Sequence, residues 1–209
     1  MSTIAAMRPG TTTDFTQLEP GFRDPVRGSQ TCFRAVLDAM AHPGRIVAVP
    51  ALLAGGAPAP LGVAATAVAL TLCDIDTPIW LDEASSAVGP YIAFHCGAPI
   101  AHAVGDAAFA LIRDLEAMPS LDQFALGSDE YPERSATLVI EVPALDESGP
   151  VVLRGPGIRG DARLDVGGLL ERFWAERAAL GELFPRGIDI LFVCGNRLAA
   201  LPRSTQIIR

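Results

Sequence analysis

Seven consecutive residues, Ile188 to Cys194 (IDILFVC), are apolar apart from Asp189. A strand without polar alternation is covered on both faces, so other layers must pack above and below it. The chain is therefore expected to be an α/β layer fold rather than a sandwich. Gly195 and Asn196 then lead into a second apolar run, Arg197 to Leu201. Such a turn joins neighbouring strands as a local hairpin, so the sheet should be mixed.

A helix, turn and strand are legible near the start of the chain. Asp24 before Pro25 marks a helix start, because aspartate accepts the orphan N–H groups of a first turn and proline there has no N–H to leave unpaired. From Phe33, the apolar residues Val36, Leu37 and Met40 follow at i+3, i+4 and i+7 and are expected to face a core. Arg27, Gln30, Arg34 and Asp38 form a second, polar stripe. Spacing alone leaves two readings of it open. Arg34 and Asp38 make an ordinary surface pair, or Gln30 and Arg34 face a cleft where a guanidinium fork suits phosphate or carboxylate. Pro43 disfavours helix at His42, and Gly44 turns the chain into a strand from Arg45 to Val49.

Further along, Leu61 to Cys73 reads as an alanine-rich buried helix, which can pack closely. Thr77–Leu81, Ala108–Ile112, Thr137–Val142 and Pro150–Arg154 read as strands. Tyr91, Phe94 and His95 favour one or two helical turns despite Gly89 and Pro90, and a short helix is expected over Leu121–Leu126. Val166 to Leu180 reads as an amphipathic helix burying Val166, Leu169, Leu170, Phe173 and Trp174. The expected organisation is a flexible tail over residues 1–20 and a single α/β domain over 21–209.

Composition removes several function classes. A net charge of −8 and a pI near 4.8 argue against a nucleic-acid surface, which needs clustered cations. The longest weakly polar run, Leu61 to Cys73, is too short to span a bilayer. Met1 to Thr13 lacks the charged-then-apolar order of a signal peptide, so a cytoplasmic location is expected. Half of the residues are hydrophobic and the mean hydropathy is +0.33, which favours association through an apolar surface. Cys32, Cys73, Cys96 and Cys194 are scattered singly and read as buried hydrophobes rather than a zinc site. All sixteen basic residues are arginine. Without lysine, neither a pyridoxal-phosphate Schiff base nor a P-loop can be built.

The remaining motifs carry little chemistry. Gly155-Pro156-Gly157-Ile158-Arg159-Gly160 matches G-x-G-x-x-G after a strand, but Pro156 removes an N–H and the next helix starts late, so it reads as a turn. His95, Cys96 and His102 lack a nearby carboxylate to complete a metal set, and His42 reads as a turn residue. No G-x-S-x-G elbow is present. Ser204 and Thr205 follow Arg203 at a strand end where an anion could bind. The candidate ligand contacts are thus Gln30, Arg34, Arg45 and Arg203, with no catalytic residue, metal or cofactor expected.

The wording Q-x-x-F-R-x-x-x-x-A-M-x-x-P-G between Gln30 and Gly44 resembles the PhnH family, the H subunits of the bacterial carbon-phosphorus lyase system. The resemblance continues in CDIDTPIWL (Cys73 to Leu81), FHCGAPI (Phe94 to Ile100), LRGPGI (Leu153 to Ile158) and FPRGIDILFVCGNRLAALPRST (Phe184 to Thr205). It implies a three-layer α/β/α fold with a mixed sheet, similar to pyridoxal-phosphate-dependent transferases but without the cofactor. It also implies a homodimer-forming subunit that works with the G, I and J subunits, the I subunit being catalytic. That assembly exchanges the adenine of ATP for an alkylphosphonate, giving a ribose 1-phosphonate 5-triphosphate; a separate radical subunit later breaks the C–P bond. On this view the chain supports the synthase without catalytic residues of its own. A phosphonate- or nucleotide-binding subunit using Gln30 and Arg34 is the alternative.

Overall fold

The computed structural model describes residues 18–50 and 52–208. Residues 1–17, on which most of the expected tail falls, lie outside the described residues. The chain runs through β1 (Ile46–Ala48), β2 (Ile79–Leu81), β3 (Phe109–Ile112), β4 (Thr137–Glu141), β5 (Leu145–Arg154), β6 (Ala162–Val166), β7 (Asp189–Cys194), β8 (Arg197–Leu201) and β9 (Gln206–Ile208). Among the described residues, four α-helices accompany them: α1 (Pro25–Ala41), α2 (Val63–Leu72), α3 (Gly89–Cys96) and α4 (Glu171–Gly181).

The fold is mixed α/β. Six strands form one sheet in the order β1-β8-β7-β4-β3-β2, and β6-β5-β9 form a second, antiparallel sheet. In the large sheet β2, β3, β4 and β7 are parallel, while β8 runs against both β7 and β1. The apolar run therefore is a central strand: Ile190, Leu191, Phe192 and Val193 are all buried, and they point alternately into two separate cores. On one face Leu191 and Val193 pack with residues of α1, α2 and α3. On the other, Ile190 and Phe192 meet Phe173 and Trp174 of α4 together with Leu153 and Leu164 of the small sheet. Helices thus share that second face with strands.

Helix α1 begins as expected, with the Asp24 carboxylate accepting the Arg27 N–H at 3.1 Å. Its buried stripe differs from the expectation. Gly28, Cys32, Val36 and Ala39 face inward, whereas Phe33 and Leu37 are about half exposed and Met40 is only partly buried. The reason is the partner. Helix α2 presents alanines, and small residues on α1 allow the two helices to approach closely. A side chain on Gly28 would lie only 2.6 Å from the Phe22 ring.

The other departure is in the second half. Val166 ends β6 rather than opening a helix, and α4 starts only at Glu171 after Gly167 and Gly168. The small sheet also extends β5 back to Leu145 and adds β9, neither of which the sequence reading assigned.

Candidate functional site

Open α/β sheets bind ligands outside the carboxyl ends of their parallel strands, where a helix N-terminus can take a phosphate. At those ends the charged residues that close the strands bind one another's segments. Asp82, after β2, is 6% exposed. It accepts the N–H groups of Ser85 at 2.8 Å, Arg113 at 2.6 Å and Asp114 at 2.8 Å, tying the end of β2 to that of β3. Arg113 Nε donates in turn to Glu141, the last residue of β4, at 2.7 Å. The other oxygen of Glu141 lies against Gly62, which precedes α2. A carboxylate beside a helix N-terminus is electrostatically favourable, and Gly195 O accepts the Ala64 N–H at 2.9 Å. The start of α2 thus faces one of the protein's own anions.

Sequence reasoning did not single out Asp82, Arg113 or Glu141. Their common signal is position, each being the first charged residue after an apolar strand (IWL-D, ALI-R, LVI-E).

The GPGIRG loop lies at the opposite kind of helix end. Gly157 (φ +82°) packs against Ala41 O, at the carbonyl terminus of α1. Arg154 and Asp161 pair across the loop base, and Ile158 N–H donates to Gly155 O at 3.1 Å. The negative end of a helix does not attract a pyrophosphate, which agrees with the turn reading. The loop and the α1 terminus border a cleft of about 310 Å³ lined by His42, Arg45, Glu147, Arg159 and Arg163 among others.

The candidate contacts do not converge. Gln30 and Arg34 lie on the exposed face of α1, and neither lines a principal cavity of the described residues. Asp38 pairs with Arg45 at 3.2 Å and His42 at 3.1 Å, not with Arg34. Arg203 is bound internally. It donates to Asp189 from its backbone N–H at 2.7 Å and from its guanidinium at 2.6 Å, and also to Pro132 O. His95 sits 3.0 Å from Glu19 O and packs against the Tyr91 ring at a tilt of 52°, while exposed His102 borders an apolar cleft of about 590 Å³ with Trp80 and Ile100. No group of three potential metal ligands is present among the described residues. No described helix is long and apolar enough to cross a membrane.

Comparison with known proteins places these features in one family. The family model for bacterial phosphonate metabolism protein (PhnH) matches residues 20–208. The chain is 44% identical over 190 residues, covering 90% of it and 94% of the relative, to the alpha-D-ribose 1-methylphosphonate 5-triphosphate synthase subunit PhnH of Rhizobium meliloti (strain 1021). It is 34% identical over 180 residues, 85% of each chain, to HtxG of Stutzerimonas stutzeri, whose name places it among C-P lyase subunits. A match over nearly the whole chain, in the segments that build the central sheet, α1 and the glycine loop, means that this protein belongs to the PhnH family.

Proposed function

We propose that this chain is a non-catalytic interaction subunit of the bacterial assembly that makes alpha-D-ribose 1-methylphosphonate 5-triphosphate from ATP and methylphosphonate. The observation that carries the reading is the outer face of α1. Val26, Phe33 and Leu37 are 68%, 46% and 51% exposed, and they share that helix with Gln30 and with Arg27 and Arg34. Neither guanidinium has an ion-pair partner among the described residues. Clustered apolar side chains left in water on one helix face mark a contact surface, and free arginines beside them suit an acidic rim on a partner.

The Arg113–Glu141 pair supports the same reading, since it sets an internally paired carboxylate beside the start of α2. In this proposal the layering is that of the pyridoxal-phosphate-dependent transferases, retained as a scaffold without the lysine their chemistry requires. The subunit works in the cytoplasm, pairs with a second copy of itself, and joins the G, I and J subunits. The second reading, a phosphonate- or nucleotide-binding role for Gln30 and Arg34, draws on the same unpaired Arg34.

Co-expression with tagged G, I and J subunits tests the proposal. The wild-type chain is expected to co-purify with them, and Phe33→Ser with Leu37→Ser is expected to abolish this while leaving the isolated chain folded. Failure of the wild-type chain to co-purify would sink the interaction role. Heat on titration with methylphosphonate or ATP, lost in Arg34→Ala, would favour the second reading.

A further inference from the structure

Residues 46–112 contain no arginine, although arginine supplies every basic residue of the chain. The acids of that stretch are Asp74, Asp76, Asp82, Glu83 and Asp106. Asp82 is buried and committed to three backbone N–H groups. The other four are exposed, and none has an ion-pair partner among the described residues. One region of the surface is therefore acidic without fixed cations of its own.

The same stretch supplies every residue that lines the apolar cleft of about 590 Å³. Trp80 and Leu81 come from β2, and Gly89, Pro90 and Ala93 from the start of α3. Ile100 belongs to a segment that continues the large sheet past β2, where Ile79 N–H donates to Pro99 O at 2.8 Å and Ala101 N–H to Ile79 O at 2.9 Å. Both borders are thus tied into regular structure. Gly89 leaves space between them, since a β-carbon there would lie 3.5 Å from Leu81 Cδ1 and 4.0 Å from Ile100 Cδ1. Ser86 and His102 complete the lining, which includes no carboxylate and no guanidinium. Apolar surface continues outside the cleft, where Phe94 is 54% and Ile75 73% exposed, and Ile75 lies beside Gly97 at the end of α3.

The acids are attached to this apolar region. Asp74 and Asp76 flank Ile75, Glu83 opens the short 3₁₀ helix Glu83–Val88 that brings Ser86 to the cleft, and Asp106 follows His102 by one turn of chain. An apolar cleft left in water favours burial against a partner, and a surrounding potential of one sign selects the charge of that partner. We propose that this cleft docks a basic, amphipathic segment of another protein, with a large apolar side chain entering between β2 and α3 and lysines or arginines beside it meeting the four exposed acids. The entering side chain is the anchor, and the charges set orientation and rate of approach. The outer face of α1 carries arginine and so has the opposite preference. The two surfaces take different partners, and this one stands whether or not α1 docks the G, I and J subunits.

The test is fluorescence anisotropy of the full chain with labelled decapeptides. Three carry a central leucine-tryptophan pair flanked by lysines, by serines or by glutamates, and a fourth keeps the lysines but has serines at the centre. The lysine-flanked apolar peptide is expected to bind at least about tenfold more tightly than any of the others, and to weaken as salt is raised. Ala93→Trp, on an exposed helical position lining the cleft, is expected to fill the anchor space and weaken this peptide about tenfold with little change in Tm. Asp76→Arg with Glu83→Arg alters only exposed side chains, and is expected to shift the preference from the lysine-flanked towards the glutamate-flanked peptide. No binding of the lysine-flanked peptide, equal binding of the serine-flanked one, or an unchanged affinity in Ala93→Trp would overturn the proposal.

Discussion

Arg113 and Glu141 meet at 2.7 Å at the carboxyl end of the large sheet, and the pair holds the Glu141 carboxylate against Gly62, the residue that precedes α2. Gly62 is extended there, with φ −82°, so alanine is conformationally acceptable. Its β-carbon would nonetheless overlap a Glu141 oxygen. Gly62→Ala is therefore expected to destabilise the chain by about 1–2 kcal/mol, by dislodging the carboxylate from Arg113 rather than by straining the backbone. Urea unfolding of Gly62→Ala, Glu141→Ala and the double variant checks this. The double variant should lose less than the sum of the singles, since one substitution removes the obstacle to the other. Strict additivity would refute the coupling.

Two of the arginines marked by the sequence are expected to behave in opposite ways. Arg203 and Asp189 are mostly buried, with side chains 18% and 17% exposed, and the guanidinium also reaches Pro132 O across the sheet end. Arg203→Ala leaves Asp189 without that partner and should cost about 2–3 kcal/mol, a Tm fall of roughly 5–10 °C. Arg34 makes no such contact, so Arg34→Ala should stay within about 0.5 kcal/mol of wild type. Scanning fluorimetry of both variants separates a structural arginine from one kept for a partner.

That contrast marks where the sequence was informative. Strands covered on both faces announce themselves by unbroken apolar runs, and β4, β7 and β8 were legible for that reason. The cap at Asp24 was equally local and equally legible. The inward face of α1 was not, because periodicity finds the most apolar stripe, whereas the stripe selected here is the smallest one. Cys32 and Ala39 approach the alanines of α2, and Phe33 is turned out. Val166 misled through the same blindness, since a strand-ending valine extends a helical pattern as well as a helical one does. Arg177 sits three residues from Trp174 and from Leu180 on the buried face of α4, a place periodicity could have flagged, but composition treats arginine as surface. The crevice residues Asp82, Arg113 and Glu141 need the sheet order before their proximity has any meaning.

Stability should fall on the alkaline side because of the thiols. Burial, with Cys96 and Asp74 adding to it, pushes the Cys73 thiol well above its ordinary value, and burial with Asp74 pushes Cys96 up to about 11. The unfolded chain releases these protons near pH 9, while the native chain keeps them. The contribution is thus complete below about pH 9 and is lost as pH rises toward 11. For Cys73, 7% exposed, the slope approaches about 1.4 kcal/mol per pH unit. Urea midpoints measured between pH 8 and 10 should decline in wild type and decline less in Cys73→Ala. Identical slopes would show that this thiol does not govern the window.

The glycine loop offers a sharper comparison, because Gly157 and Gly160 share a φ of +82° but not an environment. A β-carbon on Gly157 would overlap Ala41 O and come within 3.3 Å of Pro43 Cδ, whereas one on Gly160 would meet nothing within 4 Å. Gly160→Ala thus bears only the left-handed backbone cost, about 1–2 kcal/mol. Gly157→Ala bears that cost and must also displace backbone at the last turn of α1, for a total of about 2–5 kcal/mol. Denaturant unfolding should rank the two variants in that order, and equal losses would refute the packing argument. The consequence reaches the outer face of α1. Because the loop abuts the end of the helix that carries Phe33 and Leu37, Gly157→Ala should weaken subunit co-purification at temperatures where the isolated chain is still folded. Gly160→Ala should leave it intact.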